Sequence, residues 1–168
     1  MTITMYSASA PRLVNILKNL AEILRKAEAH ALARKIDPAV LLSARLYPDM
    51  FALTRQVQIA CDGAKGAVAR LAGMEVPKHE DTEQSFADLQ ARIAKTIAFI
   101  ESVPAQKIEG SEERKIVLTL RGQETVFQGM QFLLGFALPN FYFHVVTAYD
   151  ILRHNGVEIG KRDYIGTP

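Results

Sequence analysis

The stretch "ALPNFYFHVVTAYDILRHNG", residues 137–156, decides the fold. Advancing ~100° per residue, it places Phe141, Val145, Ala148 and Leu152 on one helical stripe. Asn140, His144, Thr147 and Ile151 form the adjoining stripe, so His144 falls at the edge of the apolar face. The opposite side carries Phe143, Val146, Asp150 and Arg153 and is apolar over its first half. Such a helix is buried on two sides. One side faces a core; Phe143 and Val146 need cover from a neighbouring hairpin or from a second copy of the chain.

Working outward, three more long helices each carry a buried stripe. One runs from about Pro11 to Arg34, with Ser9 as its expected N-cap and Leu13, Leu17, Leu20, Leu24, Ala27 and Ala31 on its buried stripe. Asp37–Pro38 opens a short helical turn that Pro48 ends. The next helix is expected to start at Asp49, with Leu53, Val57, Ala60, Ala64, Ala67 and Leu71 inward and Gly73 closing it. The small residues of that stripe allow a neighbouring helix to approach closely. A third spans about Thr82 to Val103, with Phe86, Leu89, Ile93, Ile97 and Ile100 inward, and Pro104 stops it. Between residues 105 and 136 the pattern changes: Ile116–Leu120 and Thr125–Phe127 flank Arg121–Gly122–Gln123 as a small hairpin. "MQFLLGF" reads as a short helix, and "VEIGKRDYIGTP" as an extended tail. The reading is a single all-α domain over residues 1–168, a four-helix bundle with a β-hairpin inserted before the last long helix.

The balance of 20 Lys and Arg against 18 acidic residues, scattered along the chain, argues against a nucleic-acid partner. One cysteine excludes an internal disulfide framework and suits a reducing compartment. No apolar run approaches the ~18–20 residues that a membrane helix needs. The first residues, "MTITMYSASAPR", lack the pattern of a signal peptide, so a cytoplasmic protein with no membrane partner is expected.

Among residues that carry chemistry, His144 has two readings. It is a metal ligand if partners converge from other helices, or a packed imidazole held by one or two hydrogen bonds, to a backbone carbonyl or Tyr47 for example. Asp49 is a second candidate, as a metal ligand or an acid–base group, against the alternative of a helix N-cap. Arg45 and Arg55 flank it and offer an anion site or solvated charges. Cys61 lies mid-helix beside the core stripe, where most thiols are inert. His30, His79 and His154 read as surface residues. No phosphate-binding glycine loop is present, since "GQETVFQG" lacks the spacing and opens no helix.

Taken together, "FALPNFYFHVVTAYDILRHNGVEIGKRDY" and "LYPDMFALTRQVQIACDGAKGAVARL" resemble a branch of the DinB-like/YfiT-like metalloenzyme superfamily catalogued as a domain of unknown function. The resemblance covers essentially the whole chain. It implies an up-down-down-up four-helix bundle, commonly a homodimer. Relatives hold a divalent metal with three histidines, two of them spaced i and i+4 on the last long helix, and some act on small molecules with a thiol cofactor. Carried over, Asn140 takes the place of the first histidine and His144 that of the second. Thr147 falls at a following Gln, and the third ligand falls around Pro48–Asp49. One imidazole, one carboxylate and one amide make a weak site for zinc or nickel, so the metal is expected to be absent or weakly bound. Two functional expectations follow. The first is a degenerate metal-dependent enzyme using Asp49 and His144 on a small substrate. The second is a bundle without a metal, either a small-ligand binder using Tyr47, Asn140 and His144 or an oligomeric scaffold.

Overall fold

The computed structural model describes residues 2–166. A capped turn, α1 (Met5–Ala8), leads into α2 (Ala10–Arg34), and α3 (Pro38–Ser43) follows. Asp37 caps α3 by accepting from the Ala39 amide at 2.9 Å. The helix expected from Asp49 begins four residues later, as α4 (Leu53–Leu71). After a connection without regular structure comes α5 (Phe86–Ser102), capped by the reciprocal Ser85–Asp88 pair. It is followed by the short α6 (Ala105–Ile108), β1 (Lys115–Leu120) and β2 (Gln123–Gln128). The strands pair antiparallel, with Leu120 opposite Gln123. Arg121 and Gly122 fill the two-residue turn with φ values of 50° and 79°, the left-handed pair that matches strand twist.

The remaining elements are α7 (Gly129–Phe132), one wide π turn (Leu133–Ala137), α8 (Leu138–His154) and α9 (Lys161–Ile165). Two expectations change here. The tail is not extended throughout: Asp163 caps the amide of Gly160 and pairs with Lys26, so a short helix docks on α2. The π turn also joins α7 to α8, making Gly129–His154 a continuous helix of 26 residues. That helix is long and apolar enough to cross a membrane by length and composition, contrary to the expectation that no run approaches that size. In the bundle its inner side is core: Phe132, Leu133, Phe141, Val145, Ala148 and Leu152 are buried.

The bundle is the expected up-down-down-up arrangement. Gln56 meets His144 while Gly63 meets Asn140, so α4 and α8 run antiparallel. Lys18 reaches Glu101, and Gln90 reaches the Ala21 carbonyl, so α2 and α5 also oppose each other. The long 72–85 connection lets α5 run in the same direction as α4. Leu13, Leu17, Leu20 and Leu24 of α2 share one core cluster with Leu53, Val57, Leu71, Leu89 and Ile93, all essentially inaccessible to water. Burying side chains of this size contributes roughly 1.5–3 kcal/mol each before entropy is counted. The hairpin packs on α7, where Phe127 joins Phe132 and Phe136 with ring centroids 5.7–6.1 Å apart. It does not reach Phe143, which stays 57% exposed.

Candidate functional site

At ~100° per residue, α4 carries two polar faces about 120° apart. One holds Gln56, Gly63 and Arg70 and meets α8 and the hairpin. The other holds Arg55, Gln58, Asp62 and Lys65 and meets α5 and the 72–85 connection.

On the first face, the buried His144 places Nδ1 2.7 Å from Gln56 Oε1. The Gln56 amide nitrogen donates to the Phe51 carbonyl at 3.1 Å, which turns its oxygen toward the ring. That pattern assigns the proton to Nδ1 and leaves Nε2 with its lone pair. Burial, and next the positive charge of Arg55, hold the imidazole below its ordinary pKa. His144 is therefore a neutral, oriented imidazole. Phe143 stacks edge-on against it with centroids 5.3 Å apart, and Arg55 lies over the Phe51 ring at 6.0 Å. Gln56 escaped the sequence reading, although a polar side chain set between Leu53 and Ala60 on an apolar stripe was the available signal.

The other candidate residues do not gather around His144. Asp49 and Tyr47 lie exposed in the turn before α4, Tyr47 at 66%. Asp49 caps no helix, because α4 starts at Leu53 with Ala52 at its cap. Tyr47 is likewise not the partner of His144; Gln56 is. Asn140 lies half-buried beside Gly63, where a Cβ would stand 3.5 Å from its amide nitrogen. Arg45 donates to the carbonyls of Pro48 and Met50. Thr147 turns its hydroxyl back onto the Phe143 carbonyl at 2.7 Å. Among the described residues no three His, Cys, Asp or Glu side chains group as a metal site. One imidazole, with Asp49 exposed on a separate turn and a carboxamide at the facing position of α4, does not fit the needs of zinc or nickel.

The second face was not anticipated. Arg92 of α5, its side chain 1% exposed, donates to Glu83 at 2.8 Å, to Asp62 at 2.9 Å and to the Glu80 carbonyl at 3.0 Å. Asp81 stands 2.9 Å from the same guanidinium and also pairs with Arg55. Gln58 donates to the other oxygen of Glu83, and Lys65 pairs with Asp62. Burial alone would raise the Glu83 carboxyl; the hydrogen bonds from Arg92 and Gln58 outweigh it and leave the group below its usual range. His79, expected at the surface, is half-buried here with Nδ1 unpartnered among the described residues. Cys61 is inert: burial pushes its thiol up to about 12.

The fold and both faces of α4 can now be set beside known proteins. A family model described as a domain of unknown function, DUF1993, matches residues 5–165. The chain belongs to the DUF1993 family. It is also similar to the crystal structure of a DinB family member from Shewanella denitrificans, at 44% identity over 97% of this chain and 92% of that one. The TM-score between the two is 0.89, so this DUF1993 chain has the DinB fold. No curated protein matches the chain.

Proposed function

We propose that this DUF1993 protein binds a small molecule along the α4–α8 seam without a metal. The observation that supports it is Gln56. A carboxamide, bonded to His144 at 2.7 Å, occupies the position on α4 that faces the imidazole. The neutral His144 and the amide of Asn140 then serve as hydrogen-bonding groups of a recognition site, and Asp49 takes no part in it.

The metal arm is tested by incubating untagged protein with zinc or nickel, dialysing it, and measuring bound metal in wild type and His144→Ala. Far less than one ion per chain is expected in both. A stoichiometric metal lost in His144→Ala would restore the metal-dependent enzyme. The ligand arm is a screen of a fragment library by amide chemical shifts. Binders are expected to move the resonances of Gly63 and Asn140, and Asn140→Ala to abolish those shifts. A library that moves no seam resonance overturns the proposal.

The same reading gives the exposed face of α8 to a second copy. Pro139, Phe143 and Val146 share that face, and neither the bundle nor the hairpin covers them. Light scattering is expected to give a dimer that Phe143→Ser converts to monomer. A wild-type monomer at high micromolar concentration removes the dimer from the reading.

A further inference from the structure

One cavity adjoins the seam and is built differently from the rest of the molecule. It holds about 420 Å³ and lies between the C-terminal half of α4, strand β1 and the π turn. Leu118, Leu120, Phe132 and Phe136 form its apolar walls, and Arg70, Thr119 and Asn140 are its polar groups. Two features of the sequence open it. Gly63 has no side chain to fill the space beside Asn140, and the π turn widens the helix where Phe136 and Ala137 line the wall.

Its charge is unbalanced. No carboxylate lines the cavity. Arg55 and Arg92 on the far face are paired with acids, and Arg114 donates to the Leu71 carbonyl. The half-buried Arg70, by contrast, makes no ion pair or hydrogen bond among the described residues. Asn140 offers an amide equally free of internal partners among them. Burial works against the charge of Arg70 and holds its pKa below the ordinary value. A cation partly withdrawn from water without a counter-ion carries a desolvation cost, and a planar guanidinium is shaped for two parallel bonds to a carboxylate.

Resting on the small-ligand reading above, the geometry points to a small organic acid as the ligand. Its carboxylate binds Arg70, with Asn140 and Thr119 as further hydrogen-bonding groups. Its apolar body lies between Leu118, Leu120, Phe132 and Phe136. The polar and apolar parts of the lining set these requirements separately: a neutral apolar molecule leaves Arg70 unpaired, and a bare anion leaves the aromatic wall uncovered.

The test is a titration followed by amide and side-chain shifts, with 4-phenylbutanoate, its neutral amide and inorganic phosphate as probes. The acid is expected to saturate the resonances of Gly63, Thr119, Phe136 and Asn140. It should bind about tenfold or more tightly than the amide, the size of one charge-assisted pair. Arg70→Gln, shown folded by an unchanged spectrum elsewhere, should lose the same factor for the acid and little for the amide. Equal binding of acid and amide would overturn the assignment while leaving a small-ligand site standing. Phosphate binding as tightly as the acid would overturn the apolar half of it. Should Arg70→Gln fail to fold, the acid–amide comparison on the wild type still decides. If no probe binds at millimolar concentration the organic-acid inference fails, and the fragment screen separately decides whether any ligand site exists.

Discussion

The two polar faces of α4 bury similar side chains to different ends. On the α5 side, a buried guanidinium is enclosed by Asp62, Asp81 and Glu83, and charges are matched within 3 Å. On the α8 side the groups hydrogen-bonded at His144 are neutral, with Arg55 acting on the ring through its charge, and Arg70 lacks a partner among the described residues. The first arrangement is charge-matched. It ties the irregular 72–85 connection to the bundle, while His79 Nδ1 and Arg92 Nε keep no partner among the described residues and His79, Glu83 and Arg92 line a cavity of about 400 Å³. The second leaves Arg70 and Asn140 without side-chain partners among the described residues, beside the cavity they line. Density of charge is therefore a poor guide to function in this molecule, and an unpaired charge beside an apolar cavity is the better one.

The contrast can be broken most forcefully at Arg92. Arg92→Met fills similar volume but leaves the half-buried Glu83 without its cation and Asp62 and Asp81 with one cation each, and a loss of roughly 3–5 kcal/mol is expected in denaturant unfolding. A loss below about 1 kcal/mol would show that the network is dispensable. Gln56→Leu tests the other face. It leaves the buried His144 Nδ1–H without its acceptor, for an expected loss of ~1–3 kcal/mol. A neutral result would mean that the ring finds another partner.

A third prediction uses pH. The pKa of His144 is lowered in the folded state, so below about pH 6.5 the unfolded chain binds more protons than the native one. The contribution of the neutral ring is full above that value and is lost as pH falls through the window beneath it. His79 shifts the same way, so the reading is the difference between wild type and His144→Gln. The wild-type Tm should fall more steeply on acidification, and parallel curves would place the imidazole in contact with water. The smallest effect is expected from Asp49→Asn, within about 0.5 kcal/mol and without change in ligand binding, because the side chain is exposed and makes no bond among the described residues. A large loss of binding there would return Asp49 to the site.

The helical frame was legible because it rests on periodicity. The stripes on α2, α4, α5 and α8 bury the residues that their spacing marks, apart from Ile97 of α5, which is only half-buried, and Gly122 marks the hairpin turn. Helix starts were less legible. Asp49 after Pro48 resembles a cap, yet the chain continues through a turn to Leu53, where the Ala44 carbonyl receives the first amide from across the loop. Nothing local encodes that bond. Arg92 shows the same limit: on an isolated helix it is an ordinary charged residue between Leu89 and Ile93. It becomes buried only because a polar stretch ten residues upstream folds over it with the right acids.

By itself, then, the order of apolar and polar residues determined an all-α helical bundle, the place of the hairpin and the importance of the last long helix, since these follow from short-range spacing. Tertiary structure alone decided that His144 pairs with Gln56 rather than with Asp49 or Tyr47. It likewise decided that Arg70 faces a cavity and Arg92 a cage of carboxylates. Those outcomes depend on which helices lie side by side and in which direction they run, and that long-range geometry sets which polar groups find partners and which are left for a ligand.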